Sequence, residues 1–251
     1  MIEKIVSGGQ TGADRAGLDV AIELGIPHGG WVPRGRKTEE GRLPEQYHVR
    51  EVSSINYLQR TLMNVIDSDG TLIISHGKLA GGSAVAKALA AKHRKPCLHI
   101  DLHEIEYSEA ARAAANWIDA REIRVLNVAG PRASEDPDIY EDTKKLLRLV
   151  IEQSSPRSLE EAVERLSSAL PLKHKASLAK MKEQELLRLE PQLGRAIQGR
   201  IRSWLGSPAL LESCRQYSGK ERIELYEASA VIIRRLWEKL KATHAIRPVK
   251  Q

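Results

Sequence analysis

Ser7-Gly8-Gly9-Gln10-Thr11-Gly12-Ala13-Asp14-Arg15 is the stretch on which the reading of this chain turns. A short apolar strand pattern precedes it (Ile2, Ile5, Val6), and a helical pattern follows to about Leu24. Glycines between a strand and a helix let backbone approach a ligand closely, and the helix start behind them offers unpaired N–H groups suited to an anion. Thr11, Asp14 and Arg15 add a hydroxyl, a carboxylate and a guanidinium at the mouth of the same loop. These features predict a ligand site.

Working outward, residues 1–150 alternate strand and helix signals. Ile26 to Pro33 reads as a short extended piece, and Arg34 to Gln46 as a long polar loop of the kind that is usually functional. A helix is predicted with Ile55, Leu58, Leu62 and Ile66 on its apolar face. Thr71-Leu72-Ile73-Ile74-Ser75 is a continuous apolar run, as in a parallel strand covered on both sides. Ala80-Gly81-Gly82-Ser83 then leads into an Ala-rich helix, and Pro96 to Ile100 reads as a strand. A helix follows over about 108–120, then a strand over 123–128 ending in Ala129-Gly130-Pro131-Arg132, and a helix from Pro137. The alternation predicts an α/β fold, a parallel sheet sandwiched by helices. Ligands of such sheets bind beyond the carboxyl ends of the strands, so the first loop, Gly81-Gly82-Ser83 and Gly130-Pro131-Arg132 belong on one edge.

Beyond Ser154-Ser155-Pro156-Arg157 no strand run appears. Ser158 and Glu161 fit a capping box that opens a helix stopped by Pro171. Further helices are expected over roughly 174–190, 191–205, 209–217 and 222–243, so a small all-α domain follows the sheet domain. The expected domains are 1–153 and 157–245. Charge divides at the same place: of the net +6, residues 1–150 carry −1 and the remainder +7. Lys and Glu are interleaved in that basic part, the pattern of a solvated helix face, and only the tail (Lys239, Lys241, Arg247, Lys250) is one-signed. With an aromatic share of 4% and no Phe, base-stacking recognition of nucleic acid is not expected. No run approaches a membrane span, and the N-terminus runs straight into a strand pattern, so a cytoplasmic protein without membrane attachment is expected.

Several residue types at these loops suit an anion. Arg15, Arg36 and Arg132 could each form bidentate contacts, Lys37 a point charge, and Ser83 a hydroxyl contact at a helix start. Asp14 and Asp19 could bind a hydroxyl or amino group, or Asp14 could simply favour the helix start. The spacing of Gly8, Gly9 and Gly12 is neither the dinucleotide fingerprint nor the Walker loop. His93, His99 and His103 match no ligand spacing, Cys97 and Cys214 are isolated, and no nucleophile motif appears. No metal and no catalytic residue is assigned.

The motifs Gly8-Gly9-Gln10-Thr11-Gly12-Ala13-Asp14-Arg15-Ala16-Gly17-Leu18-Asp19, Gly30-Trp31-Val32-Pro33, Gly81-Gly82-Ser83 and Asn127-Val128-Ala129-Gly130-Pro131-Arg132-Ala133-Ser134 resemble, in order, those of the molybdenum-cofactor carrier family. The resemblance covers about residues 1–152. That family is similar to a circularly permuted branch of the SLOG superfamily, related to lysine-decarboxylase-like phosphoribohydrolases. It implies a Rossmann-like fold and a carrier for molybdenum cofactor, as cargo, or for a related phosphorylated pterin or nucleotide-like ligand. It adds Gln10 and Trp31 to the expected ligand residues. One departure concerns chemistry. Aligning the phosphoribohydrolase loop P-G-G-x-G-T-x-x-E on Gly81-Gly82 places Val85 at its Thr and Ala88 at its hydrolytic Glu, and Ala86 offers no hydroxyl. The expectation is therefore binding without cleavage. The alternatives are a nucleotide hydrolase using Asp14, Asp19 or Glu39, and a nucleotide sensor signalling through the helical domain to a protein partner. The helical part resembles a domain of unknown function, and a homo-oligomer is expected.

Overall fold

The computed structural model describes residues 2–53, 57–189, 191–205 and 207–244. Ile55, Arg247 and Lys250 lie outside them. Contacts divide the chain into two compact units, 1–154 and 155–251.

In the first unit, strands β1 (Lys4–Val6), β2 (His28–Gly29), β7 (Gly70–Ser75), β8 (Cys97–Asp101) and β9 (Val125–Ala129) form one five-stranded sheet in the order β2-β1-β9-β7-β8. Every pairing in it is parallel, with Ile5 beside Leu126, Leu72 beside Val128 and Leu72 beside Leu98. The crossovers are α1 (Ala13–Glu23), α2 (Tyr57–Ile66), α3 (Gly81–Lys92) and α4 (Tyr107–Ala120), and α5 (Ile139–Ser154) follows β9. This is a Rossmann-like sheet with flanking helices. All six residues of β7 are buried, as its unbroken apolar run predicts for a central parallel strand. Ile5, Leu72, Ile74, Leu126 and Val128 meet Val20 of α1, Ala114 and Ile118 of α4 and Leu146 and Val150 of α5 in one core. Helices α2 and α3 pack together, α2 against β3 (Trp31–Val32) and α3 against β7.

One expectation is revised here. Residues 34–46 are not a plain loop. They hold the antiparallel pair β4 (Lys37–Thr38) and β5 (Gly41–Arg42), while β3 pairs in parallel with β6 (Arg50–Glu51). In helix α2 the apolar face is not the most buried one. Leu58 and Ile66 of that face are 50% and 38% exposed, whereas Asn64 and Val65 are 2% and 0% exposed. The cause is a backbone partner: Asn64 Oδ1 accepts the Trp31 N–H at 2.8 Å and Nδ2 donates to the Trp31 carbonyl at 2.9 Å. An amide that satisfies both backbone groups of Trp31 orients the helix against its own hydrophobic periodicity.

The second unit contains α6 (Leu159–Ala169), α7 (Leu172–Lys180), a 3-10 turn over Glu183–Arg188, α8 (Pro191–Trp204), α9 (Pro208–Ser218) and α10 (Leu225–His244). Ser158 Oγ caps α6 through the Glu161 N–H, but Glu161 returns to the N–H of Arg157 rather than of Ser158, so the box closes one residue early. The helix expected over 174–190 stops at Lys180, where Met181 and Lys182 turn extended. Trp204, Leu210, Cys214, Ile232, Leu236 and Leu240 belong to the core of this unit. Among the described residues no helix is long and apolar enough to cross a membrane.

Candidate functional site

Because β1, β9 and β7 are neighbours and parallel, the loops after their carboxyl ends converge. The first loop is shaped from within. Ser7 Oγ donates to the Asp14 carbonyl at 2.7 Å and accepts the Gly9 N–H at 3.1 Å, which folds the chain back before α1. At Gly12 the loop meets the β9 loop: φ is +72°, and a Cβ there would lie 2.4 Å from the Pro131 carbonyl oxygen. The Ala13 N–H donates to that same oxygen at 3.2 Å. Only glycine accommodates both the left-handed backbone and that approach.

The loops enclose a cleft of about 510 Å3, open solvent included. Gly8, Gln10 and Asp14 line it from the first loop and α1, Gly82, Ser83 and Ala86 from α3, and Gly130, Arg132 and Glu135 from the β9 loop. Helix α2 contributes Arg60, Thr61 and Asn64, and β9 contributes Asn127. Arg60 brings a guanidinium into the cleft. Its Nη1 donates to Asp14 Oδ2 at 2.6 Å, in a pair whose side chains are 14% and 7% exposed. The guanidinium lies directly on Gly8, where an added Cβ would stand 1.1 Å from Nη1. Its Nε is buried without a hydrogen-bond partner. Opposite lies the start of α3, which no side chain caps. Its ladder begins with the Ala84 N–H to the Ala80 carbonyl, leaving the N–H groups of Gly81, Gly82 and Ser83 ahead of it, with the dipole's positive end.

Glu39 reaches the rim of this cleft from the β4–β5 hairpin. Oε1 accepts the Thr11 hydroxyl and, at 3.1 Å, the Ser134 N–H, while Oε2 accepts the Ser134 hydroxyl at 2.5 Å. Burial pushes this carboxyl up, but those bonds and the Arg132 charge outweigh it and hold it below its ordinary range.

Residues 5–151 match the circularly permutated YpsA SLOG family. The chain belongs to that family. A solved structure from Syntrophus aciditrophicus SB, a "Putative molybdenum carrier protein", shares 56% identity with it over 59% of this chain and 94% of that one, with a TM-score of 0.59. Residues 155–240 match a domain of unknown function, DUF6794. Among curated proteins none matches.

In this SLOG-family chain the predicted ligand residues divide into two groups. Gly8, Gln10, Asp14, Gly82, Ser83, Gly130 and Arg132 line the cleft. Thr11, Gly12 and Pro131 join its walls, Gly9 packs against Leu43, and Gly81 starts α3. Three side chains turn elsewhere. Arg36 is buried and donates to the carbonyls of Leu43, Pro44 and Tyr47 at 3.0, 2.6 and 2.9 Å, fastening its own loop. Arg15 lies over the Tyr47 ring, and Trp31 donates its indole N–H to Asp67 at 2.7 Å. Asp19 accepts the hydroxyls of Tyr47 and Tyr140, each at 2.7 Å, and burial together with its charge pushes both phenols up. Arg60 and Asn64 escaped the sequence reading. Their signal is the polar pair Arg60 and Asn64, four residues apart on α2 and opposite the face that carries Leu58, Leu62 and Ile66.

Proposed function

We propose that the cleft binds the anionic group of a small ligand and that the protein is a cytoplasmic carrier, with molybdenum cofactor or a related phosphorylated pterin or nucleotide-like molecule as cargo. The observation that carries this reading is the Arg60 guanidinium seated on Gly8, facing an uncapped α3 start. The Arg60 guanidinium, paired with Asp14 through Nη1 but with Nε unbonded, the unpartnered N–H groups of α3 and the Ser83 hydroxyl suit an oxyanion. The named role of the 56% identical relative points the same way. Binding rather than hydrolysis fits the carboxylates. Of the two that line the cleft, Asp14 is paired with Arg60, and Glu135 lies 3.1 Å from Arg132 Nε. Val85 and Ala88, at the positions of the phosphoribohydrolase Thr and Glu, are exposed on α3.

Isothermal titration of the full chain with molybdate, inorganic phosphate and nucleoside monophosphates tests this reading. Saturable binding that Arg60→Met weakens supports it; absence of heat with every probe refutes it. Self-association and a protein partner for the helical unit belong to the same proposal. A monomer at micromolar concentration in sedimentation velocity would remove the first of these.

A further inference from the structure

The groups that hold Glu39 are arranged as for a ligand. We propose that Thr11, Ser134 and Arg132 form a second anion seat at the rim of the cleft, for an acidic group presenting two oxygens, and that Glu39 occupies it until such a group displaces it. This deepens the anion-binding reading and rests on it.

The seat addresses both carboxylate oxygens. Oε1 takes the Thr11 hydroxyl and the Ser134 N–H, and Oε2 takes the Ser134 hydroxyl, with Arg132 Nε 3.9 Å away. Thr11 is oriented for the task. Its Oγ1 already accepts the Ala133 N–H at 3.1 Å, so its own hydrogen is left to point at the anion. The Arg132 guanidinium stands closer to Glu135, at 3.1 Å, and is not consumed by Glu39. Arg132 and Gln10, whose Oε1 accepts the Glu39 N–H at 3.0 Å, both line the main cleft, so the seat is continuous with it. A ligand with two acidic groups could place one against Arg60 and the other here.

The segment bearing Glu39 is built to let go. Strands β4 and β5 pair through only two residues each, too few for a hairpin stable by itself. Residues Glu40, Gly41 and Arg42 are exposed. The base is fixed instead by the buried Arg36 side chain and by the Leu43 N–H to the Arg36 carbonyl at 2.9 Å. The tip can therefore leave while the base stays, with Gly41 at φ +105° and Gly35 at +81° in the connecting backbone.

The test is hydrogen exchange and calorimetry on the full chain, using inorganic phosphate and, separately, adenosine monophosphate. In the native protein, amide exchange in residues 37–42 should rise on adding a probe that fills the seat, the reverse of ordinary protection. Glu39→Ala should bind phosphate more tightly, by about tenfold for a latch closed about nine times in ten. It should also lose the exchange response. Glu39→Gln, which keeps the shape without the charge, should fall between, and it decides the matter if the alanine variant does not fold. A probe that binds the native chain, protects 37–42 and binds Glu39→Ala no better overturns the seat but leaves the Arg60 cleft standing. Failure of both probes to bind any of the three proteins overturns both proposals.

Discussion

Replacing Gly12 by alanine should be far more costly than replacing Gly82, although both glycines belong to the same site. At Gly12 φ is +72° and ψ −134°, a region that side-chain-bearing residues reach only at about 1–3 kcal/mol. The new Cβ would meet the Pro131 carbonyl oxygen at 2.4 Å and backbone atoms of Arg132 and Ala133 at 2.9 Å. None of these is the end of a flexible side chain, so the β9 loop itself must retreat. The Ala13 N–H bond to Pro131 would then weaken, adding about 1 kcal/mol. A total of about 2–4 kcal/mol follows. At Gly82 nothing lies within 4 Å of an added Cβ, and alanine is the better helix former by about 1 kcal/mol. That variant should be neutral or slightly stabilised. The readout must isolate the sheet unit, because Trp204 and Trp237 of the helical unit would contribute to any fluorescence signal. Native-state hydrogen exchange of the β1 and β9 amides does so. If Gly12→Ala changes their opening free energy by less than about 0.5 kcal/mol, within the range of an ordinary surface substitution, the claim that two loops are locked together at this glycine is refuted.

Three other perturbations follow from the same geometry. Gly8→Ala should evict the Arg60 guanidinium from its seat and lower phosphate affinity roughly ten- to a hundredfold, matching Arg60→Met; an unchanged affinity in titration calorimetry would dissociate Arg60 from the site. Asn64→Leu should cost about 2–4 kcal/mol despite adding apolar surface, because it strands the N–H and carbonyl of Trp31, and faster exchange at β3 should report it. The carboxyl of Glu39 is held below its unfolded value of about 4.5, so its contribution is fully present above that pH and is lost as pH falls through the folded value; amide protection at 37–42, taken relative to the intrinsic exchange rate at each pH, should drop over that acidic range and lose this step in Glu39→Gln.

The sheet was legible because its signals are local and repeated. The run Leu72-Ile73-Ile74 between Thr71 and Ser75 is short, β-branched and bounded by glycines, which suits a buried parallel strand, and three glycine-marked turns after strands must share an edge if the strands are parallel. The arginines were harder to place. Arg15, Arg36 and Arg132 look alike in sequence, yet one lies over a tyrosine ring, one fastens three carbonyls of its own loop and one lines the cleft. That distribution depends on how residues 34–47 fold back on α1, a non-local outcome that composition and spacing do not encode. Charge marks a candidate; backbone acceptors nearby decide whether it remains available.

Helix α2 carries the more general lesson. An amphipathic helix ordinarily turns its hydrophobic face inward. The rule presumes that the interior is uniformly apolar, and at a ligand cleft it is not. Asn64 engages both backbone groups of Trp31 and so rotates Arg60 and Thr61 into the cleft. Tyr57, Leu58 and Ile66 of the same helix are each more than a third exposed. Local propensity and global fold disagree here, and such disagreement is expected where function is served at the expense of packing. On the proposed reading the cleft uses the polar side of α2: Arg60, Thr61 and Asn64 line it, while Tyr57, Leu58 and Ile66 stay outside and Val65 supplies the buried apolar contact.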